Sequence, residues 1–351
     1  MLTKNSYIAI ELFLSSIKLN NNKSLKQLWS YFETIQPEYK IETIIDKPKT
    51  PTLESLAEQK FIDNHLKKDI LLLNTYKEVK ININQYTFHL KFYYDNKDEL
   101  NDLIETLAYA LSFTALLAPH KINDVTICYY LLDVKRVLDG DTFFDKEEVN
   151  GGACWSSPTD CDITVWRKEE IIKVSIHELI HGLSYDYKQD SNEIVQHYRS
   201  KYSITSPKMN TFEAYTEIFA ELIHSYLLSH LISKLYSTDN FKLFSTFVSI
   251  ETLFSHLQST KVLSLLEKNK DVNKETNVTS YYLIKTELYH DINNFLQFCL
   301  HNNTQIIKIN NTIKYFEYLK KLKKIVKKKY NISSDYLNKT TRMTCLEIDI
   351  F

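Results

Sequence analysis

Between Val79 and Tyr94 apolar and polar residues alternate on either side of Asn84-Gln85, the two-residue period and central turn of a β-hairpin. The period then changes, and Leu100 to Leu117 reads as a helix. Its most apolar run, Leu107 to Ala118, has the length of a buried core helix and falls short of the ~20 residues a membrane span needs. Val125 to Val134 is β-branched and aromatic enough for a strand, and Ile163 to Trp166 reads as a second short strand. Residues 7–35 and 53–75 carry helical periodicity, with a connection at Pro48 to Pro51 between them. From Arg167 onward the pattern is helical, in segments near 168–184, 210–236, 239–267, 279–300 and 306–330, and no internal repeat is evident.

These elements predict an α+β protein, predominantly helical, with a small mixed sheet and additional N- and C-terminal helices. Three parts are expected: a helical and hairpin region over 1–120, a catalytic domain over 121–305, and a basic C-terminal helix and tail over 306–351. In the last part Ile313, Phe316, Leu319, Leu322 and Val326 share one helical face among many lysines. Such a helix can meet an acidic partner or a membrane surface, but a docked helix with a solvated lysine face is the commoner outcome.

Composition narrows the classes. At 351 residues, with 44% hydrophobic and 25% charged, the chain is ordinary globular material and has enough length for a substantial core. A formal net charge of -1 supplies no whole-molecule field for nucleic acid, so no nucleic-acid partner is expected. Five cysteines, with only Cys154 and Cys161 close in sequence, make no secreted disulfide framework and suit a reducing compartment; two thiols is the default reading of that pair. Met1 to Leu19 lacks a signal-peptide pattern, so an intracellular protein with no transmembrane segment is expected. Of four glycines, Gly151, Gly152 and Gly182 flank one segment, leaving Gly140 elsewhere. Where glycine is this scarce, close backbone approach is a reason to keep it.

That segment is His177-Glu178-Leu179-Ile180-His181, set among Ile171, Ile172, Val174 and Leu183. The i, i+4 spacing puts both imidazoles on one helix face, able to hold a single ion, and Glu178 projects beside it as a general base. The His and Glu content would produce this pattern by chance in roughly 2% of such chains. Against two ordinary histidines stand the apolar helix, the strand before it and the acidic helix after it. A catalytic zinc takes about three protein ligands and leaves a position open. Glu213, Glu217 and Glu221 recur every four residues in the downstream helix, where exposed like charges would repel and a metal or histidine partner would explain the row.

Together these residues resemble the gluzincin metallopeptidases, the thermolysin-like group with His-Glu-x-x-His and a downstream glutamate ligand. Phe212-Glu213-Ala214-Tyr215-Thr216-Glu217 matches in its glutamate, small residue and later acid, with Phe212 where Asn is frequent. The resemblance covers roughly residues 150–225 and implies a zincin-like core with one Zn2+ per chain, on His177, His181 and Glu213. It makes Glu217 the group orienting an imidazole N–H, and the two glutamates could exchange roles. The related metzincin pattern would need Gly at 184 and His or Asp at 187, where Ser184 and Tyr187 stand; Asp186 is one position off. The resemblance further implies an edge strand before the motif helix, for which Ile163 to Trp166 is suited; the residues Asn150 to Ala153 read as a loop at the site's rim or, equally, as an ordinary turn. Tyr281, Tyr282 and His290 are candidate oxyanion donors, and His224 is a core histidine by default.

The function expected is zinc-dependent cleavage of a peptide or protein substrate. The alternatives are a zincin-fold structural or interaction protein, such as a viral particle component, and hydrolysis of a non-peptide amide or ester by the same machinery. The compositional bias suits a large DNA virus or an A/T-rich protist; a viral protein would act in the host cytoplasm or the virion.

Overall fold

The computed structural model describes residues 1–17, 22–57, 59–95, 98–138, 144, 146–206, 209–268 and 275–351; Gly140 lies outside them. The chain runs through α1 (Lys4–Phe13), α2 (Lys23–Glu33), β1 (Lys40–Pro48), α3 (Leu53–Ala57), α4 (Asn64–Ile70), β2 (Thr75–Ile83), β3 (Tyr86–Tyr94), α5 (Asn101–Leu116), β4 (Asp124–Tyr130) and α6 (Lys146–Val149). It continues with β5 (Gly152–Ser156), β6 (Asp160–Val165), α7 (Ile171–Gly182), α8 (Asn192–Tyr202), α9 (Phe212–Tyr236), α10 (Asn240–Lys268) and a π-helical turn, Thr279–Ile284. Last come α11 (Lys285–His290), α12 (Ile292–Asn302), the short strands β7 (Asn303–Thr304) and β8 (Lys308–Ile309), α13 (Thr312–Lys321) and α14 (Asp335–Lys339). The fold is mixed α/β, about half helical, with a six-stranded mixed sheet and a two-stranded one.

Two compact units divide the chain. One comprises 35–136, 150–185 and 350–351, and holds the large sheet in the order β1-β2-β3-β4-β6-β5. The predicted hairpin is its centre: β2 and β3 pair antiparallel from Ile83↔Tyr86 to Thr75↔Tyr94, and their buried residues alternate as the pattern requires. Asn84 takes a positive φ of 49° in the turn, a conformation asparagine tolerates better than most residues. β4 and β6 join in parallel register, β3 with β4 and β4 with β6. The predicted strand at Ile163 to Trp166 is therefore real but interior. The terminal strand is β5, antiparallel to β6 with Gly152 opposite Val165, so the segment expected as a rim loop supplies the edge. β1 went unpredicted because most of its residues are exposed; backbone pairing with β2 holds it. α7 packs on α5, β5 and β6, and is buried from Ile171 through Ile180.

The other unit, 1–34, 137–149 and 186–349, is helical. α9 and α10 pack along each other, with the π-turn and α11 against both. The segment Thr340 to Leu346 is buried among them, where Glu251 accepts from the Cys345 and Leu346 amides at 3.1 Å each and from the Thr344 hydroxyl. The helix expected over 306–330 is corrected. α13 ends at Lys321, and Leu322 turns extended with ψ 143°. Side chains of α8, a helix absent from the sequence reading, capture the departing backbone: Lys201 Nζ donates to Leu322 O at 2.8 Å and Ile325 N donates to Tyr202 Oη at 3.0 Å. Ile313 and Val326, expected on a docked face, are exposed. Among the described residues no helix is long and apolar enough to cross a membrane.

Candidate metal centre

The motif helix is anchored from its first residue. Glu170, just before α7, adopts a left-handed φ of 59° and is almost wholly buried. Arg136 holds it there: its guanidinium donates to Glu170 Oε2 at 2.5 Å and to the Glu169 carbonyl at 3.2 Å, while its amide donates to Glu169 Oε2 at 2.6 Å. Burial makes these charge-assisted bonds strong, and it also makes them costly to break. The same guanidinium lies so close to Gly151 that a Cβ there would sit 2.0 Å from it. Arg167 Nε donates to Asn150 O at 3.0 Å and Trp166 N to Gly151 O at 3.0 Å, so the chain entering β5 is clamped. Further along α7, Ser175 Oγ meets Tyr129 Oη of β4 at 3.0 Å.

On this helix the Nε2 atoms of His177 and His181 stand 3.1 Å apart. Zn–N bonds of about 2.0–2.1 Å in tetrahedral geometry place two ligand nitrogens roughly 3.3 Å from each other. The pair thus has the spacing of two ligands on one ion. His177 is 5% exposed and Glu178 8%, while His181 is partly exposed. One ligand atom from each of His177, His181 and Glu213 lies within 4.8 Å of the other two, a His-His-Glu group that could bind a metal ion. Two imidazole nitrogens and a carboxylate oxygen are the donor set a catalytic zinc takes, so the residues fit that ion.

Glu213 is held in the first turn of α9. Asp190 caps that helix, accepting from Thr211 N at 2.5 Å and Thr211 Oγ1 at 2.7 Å. Asn277 bridges two points: its Oδ1 accepts from Asn210 N at 3.0 Å and its Nδ2 donates to Glu213 Oε1 at 3.2 Å. Tyr281, on the π-turn, donates to Glu213 Oε2 at 3.0 Å. π-turns recur at functional sites because they shift side chains off the regular helical register.

The acidic row on α9 has a partner that sequence reasoning missed. Lys285 Nζ bonds Glu221 and donates to Met343 O at 2.9 Å. Burial would lower this ammonium's pKa, but Glu221 and then Glu217 outweigh it and the net shift is upward. The row is therefore balanced in part by a buried lysine. A signal was present in the sequence, since Tyr281 and Lys285 are four residues apart on one helical stretch. Asn277 was also missed.

The remaining candidates have other neighbours. Tyr282 is buried with its hydroxyl bonded to Thr341 O. The His290 ring lies 4.7 Å from that of His256, and His224 is a buried residue of α9. Asp186 Oδ2 accepts from Thr216 Oγ1 at 3.2 Å. Cys154 and Cys161 have their sulfurs 3.6 Å apart, and Cys161 Sγ lies under Gly182, where a Cβ would be 2.3 Å from it.

Comparison with known proteins finds a distant relative. The chain is 24% identical over 278 residues, 71% of its length and 68% of the other's, to an uncharacterized protein of Acanthamoeba polyphaga mimivirus. No protein-family model matches the chain. No solved structure matches it.

Proposed function

We propose that the protein is a zinc-dependent peptidase in which His177, His181 and Glu213 hold the ion and Glu178 is the general base. The observation that carries this reading is the pair of Nε2 atoms 3.1 Å apart, grouped with a carboxylate of Glu213. Zinc held there would supply Lewis acidity and make water a competent nucleophile near neutral pH. Glu178 Oε1 takes the proton of the attacking water and passes it to the departing amine. Its near-complete burial limits competing solvent and keeps the carboxylate on one side of the helix.

Peptides are favoured over other amides and esters by the strand beside this helix. β5 is the last strand of the sheet, begins against Glu178 and carries Trp155, which is 64% exposed. An extended backbone can add to such an edge, with alternate side chains presented to the protein. The zincin-like core is part of the same proposal, supported by the order of parallel strands, antiparallel edge strand and motif helix. The similarity to a giant-virus protein is compatible with action in an infected cell or a virion.

Zinc content and cleavage of a diverse peptide library, measured on wild type, Glu178→Gln and Glu213→Ala, test the reading. Wild type is expected to carry one zinc and cleave, Glu178→Gln to carry zinc without cleaving, and Glu213→Ala to lose zinc. A wild type without zinc overturns the proposal, and zinc without cleavage shifts the function to a structural or interaction role.

A further inference from the structure

A cavity of about 360 Å3 in the helical unit plays no part in the proposed hydrolysis. Lys261 and Lys268 of α10 and Lys328 of the extended stretch after α13 line it, together with Asn338, Leu257 and Tyr330. No carboxylate is among its lining residues, counted over the described chain. Lys261 donates to Thr340 O at 2.7 Å, a neutral acceptor that leaves its charge uncompensated, and burial pushes this ammonium down to about 7. Lys328 also acts on two histidines outside the lining: His256 is lowered first by burial and then by Lys328, and His290 is brought to about 4 by burial, His256 and Lys328. Among the lining groups, Lys261 and Lys328 thus bring two positive charges to one space. Along the same basic stretch Lys327 pairs with Glu267 at 2.5 Å, and Lys320 with Glu193 at 2.6 Å.

We propose that this cavity binds a small molecule through its phosphate group. The Lys261 and Lys328 ammonium groups, one from α10 and one from the extended stretch after α13, match a dianionic tetrahedral group, for which lysines act as point charges approaching from different directions. The Asn338 amide adds a neutral donor. The volume lies in the range of small-molecule sites of about 300–1,000 Å3 and exceeds what phosphate alone would fill. Leu257 and Tyr330 offer the remaining space to an apolar or aromatic body, so the ligand is a phosphate ester rather than the free ion. The cavity shares no residue with the His-His-Glu group.

Calorimetric titration of the full-length protein with phenyl phosphate, inorganic phosphate and phenol tests it. Phenyl phosphate is expected to bind saturably and more tightly than inorganic phosphate, and phenol not at all. Lys261→Met and Lys328→Ala should each weaken phenyl phosphate binding by roughly tenfold or more, the loss of one charge-assisted contact, with zinc content unchanged. Lys328 is exposed, so its replacement reads binding without risk to the core. No saturable binding, or binding that both variants leave intact, overturns the proposal. Equal affinity for phenyl phosphate and inorganic phosphate overturns the assignment of an ester.

Discussion

Gly152 lies directly against Glu178: a Cβ at this position would sit 2.8 Å from both Cγ and Oε1 of the glutamate and 2.7 Å from Val174 Cγ1. The first residue of the edge strand therefore sets where the proposed general base can stand. Gly152→Ala should push the carboxylate aside and lower kcat by about 10²-fold, the scale of a 1 Å misplacement, while zinc stays bound. Kinetics on a cleaved peptide with parallel zinc analysis check this. Unchanged kcat would mean that Glu178 does not act from this position.

A second glycine supports the other end of the helix. Gly182→Ala would drive its Cβ to 2.3 Å from Cys161 Sγ, a buried sulfur with little room to move. Overpacking of this kind costs about 1–3 kcal/mol. Combining it with Cys161→Ala should recover much of the loss, giving a non-additive cycle in urea unfolding. Additive effects would separate the two residues.

Arg136 carries the helix start. Arg136→Met leaves Glu170 buried without its guanidinium partner, which should cost about 3–5 kcal/mol. The denaturation midpoint reads this directly. A loss below about 1 kcal/mol would place the anchoring elsewhere.

Tyr281 and Tyr282 are adjacent in sequence and opposite in expected effect. Tyr281→Phe removes the 3.0 Å bond to Glu213 and should weaken zinc affinity by about 10–100-fold, the effect of losing an outer partner of a ligand. Tyr282→Phe removes a bond to Thr341 O and should leave zinc affinity unchanged. Competition with a chelator of known affinity measures both.

His290 predicts an acid-sensitive term in stability. Its folded pKa of about 4, set by burial, then His256 and Lys328, lies below the unfolded value of about 6.5. The unfolded chain therefore takes up this proton first as pH falls. Stability from the neutral ring is whole above pH ~6.5 and is lost as the pH drops toward ~4. His290→Gln should flatten the dependence of the urea midpoint on pH over that window, relative to wild type.

Much of the local structure was legible in the chain itself. Alternation around Asn84-Gln85 specified the hairpin, because a half-buried strand must change face at every residue. The apolar run after Leu100 specified α5, and the spacing of His177 and His181 specified a shared helix face, because i and i+4 meet on any α-helix. Those readings depend on neighbours within a few residues, where periodicity and propensity are strongest.

Long-range contacts decided the rest. β1 shows little apolar alternation, and its strand exists through pairing with β2. Gly151-Gly152 reads as a turn until β6 and the side chains of Arg136 and Glu178 are in place, when only a residue without a Cβ fits. The apolar spacing from Ile313 to Val326 continues past Lys321, yet the helix stops where Lys201 and Tyr202 bind the backbone. Likewise, the row Glu213, Glu217, Glu221 announces a need for partners without naming them. Asn277, Tyr281 and Lys285 reach it from more than sixty positions away, because folding brings the π-turn alongside α9.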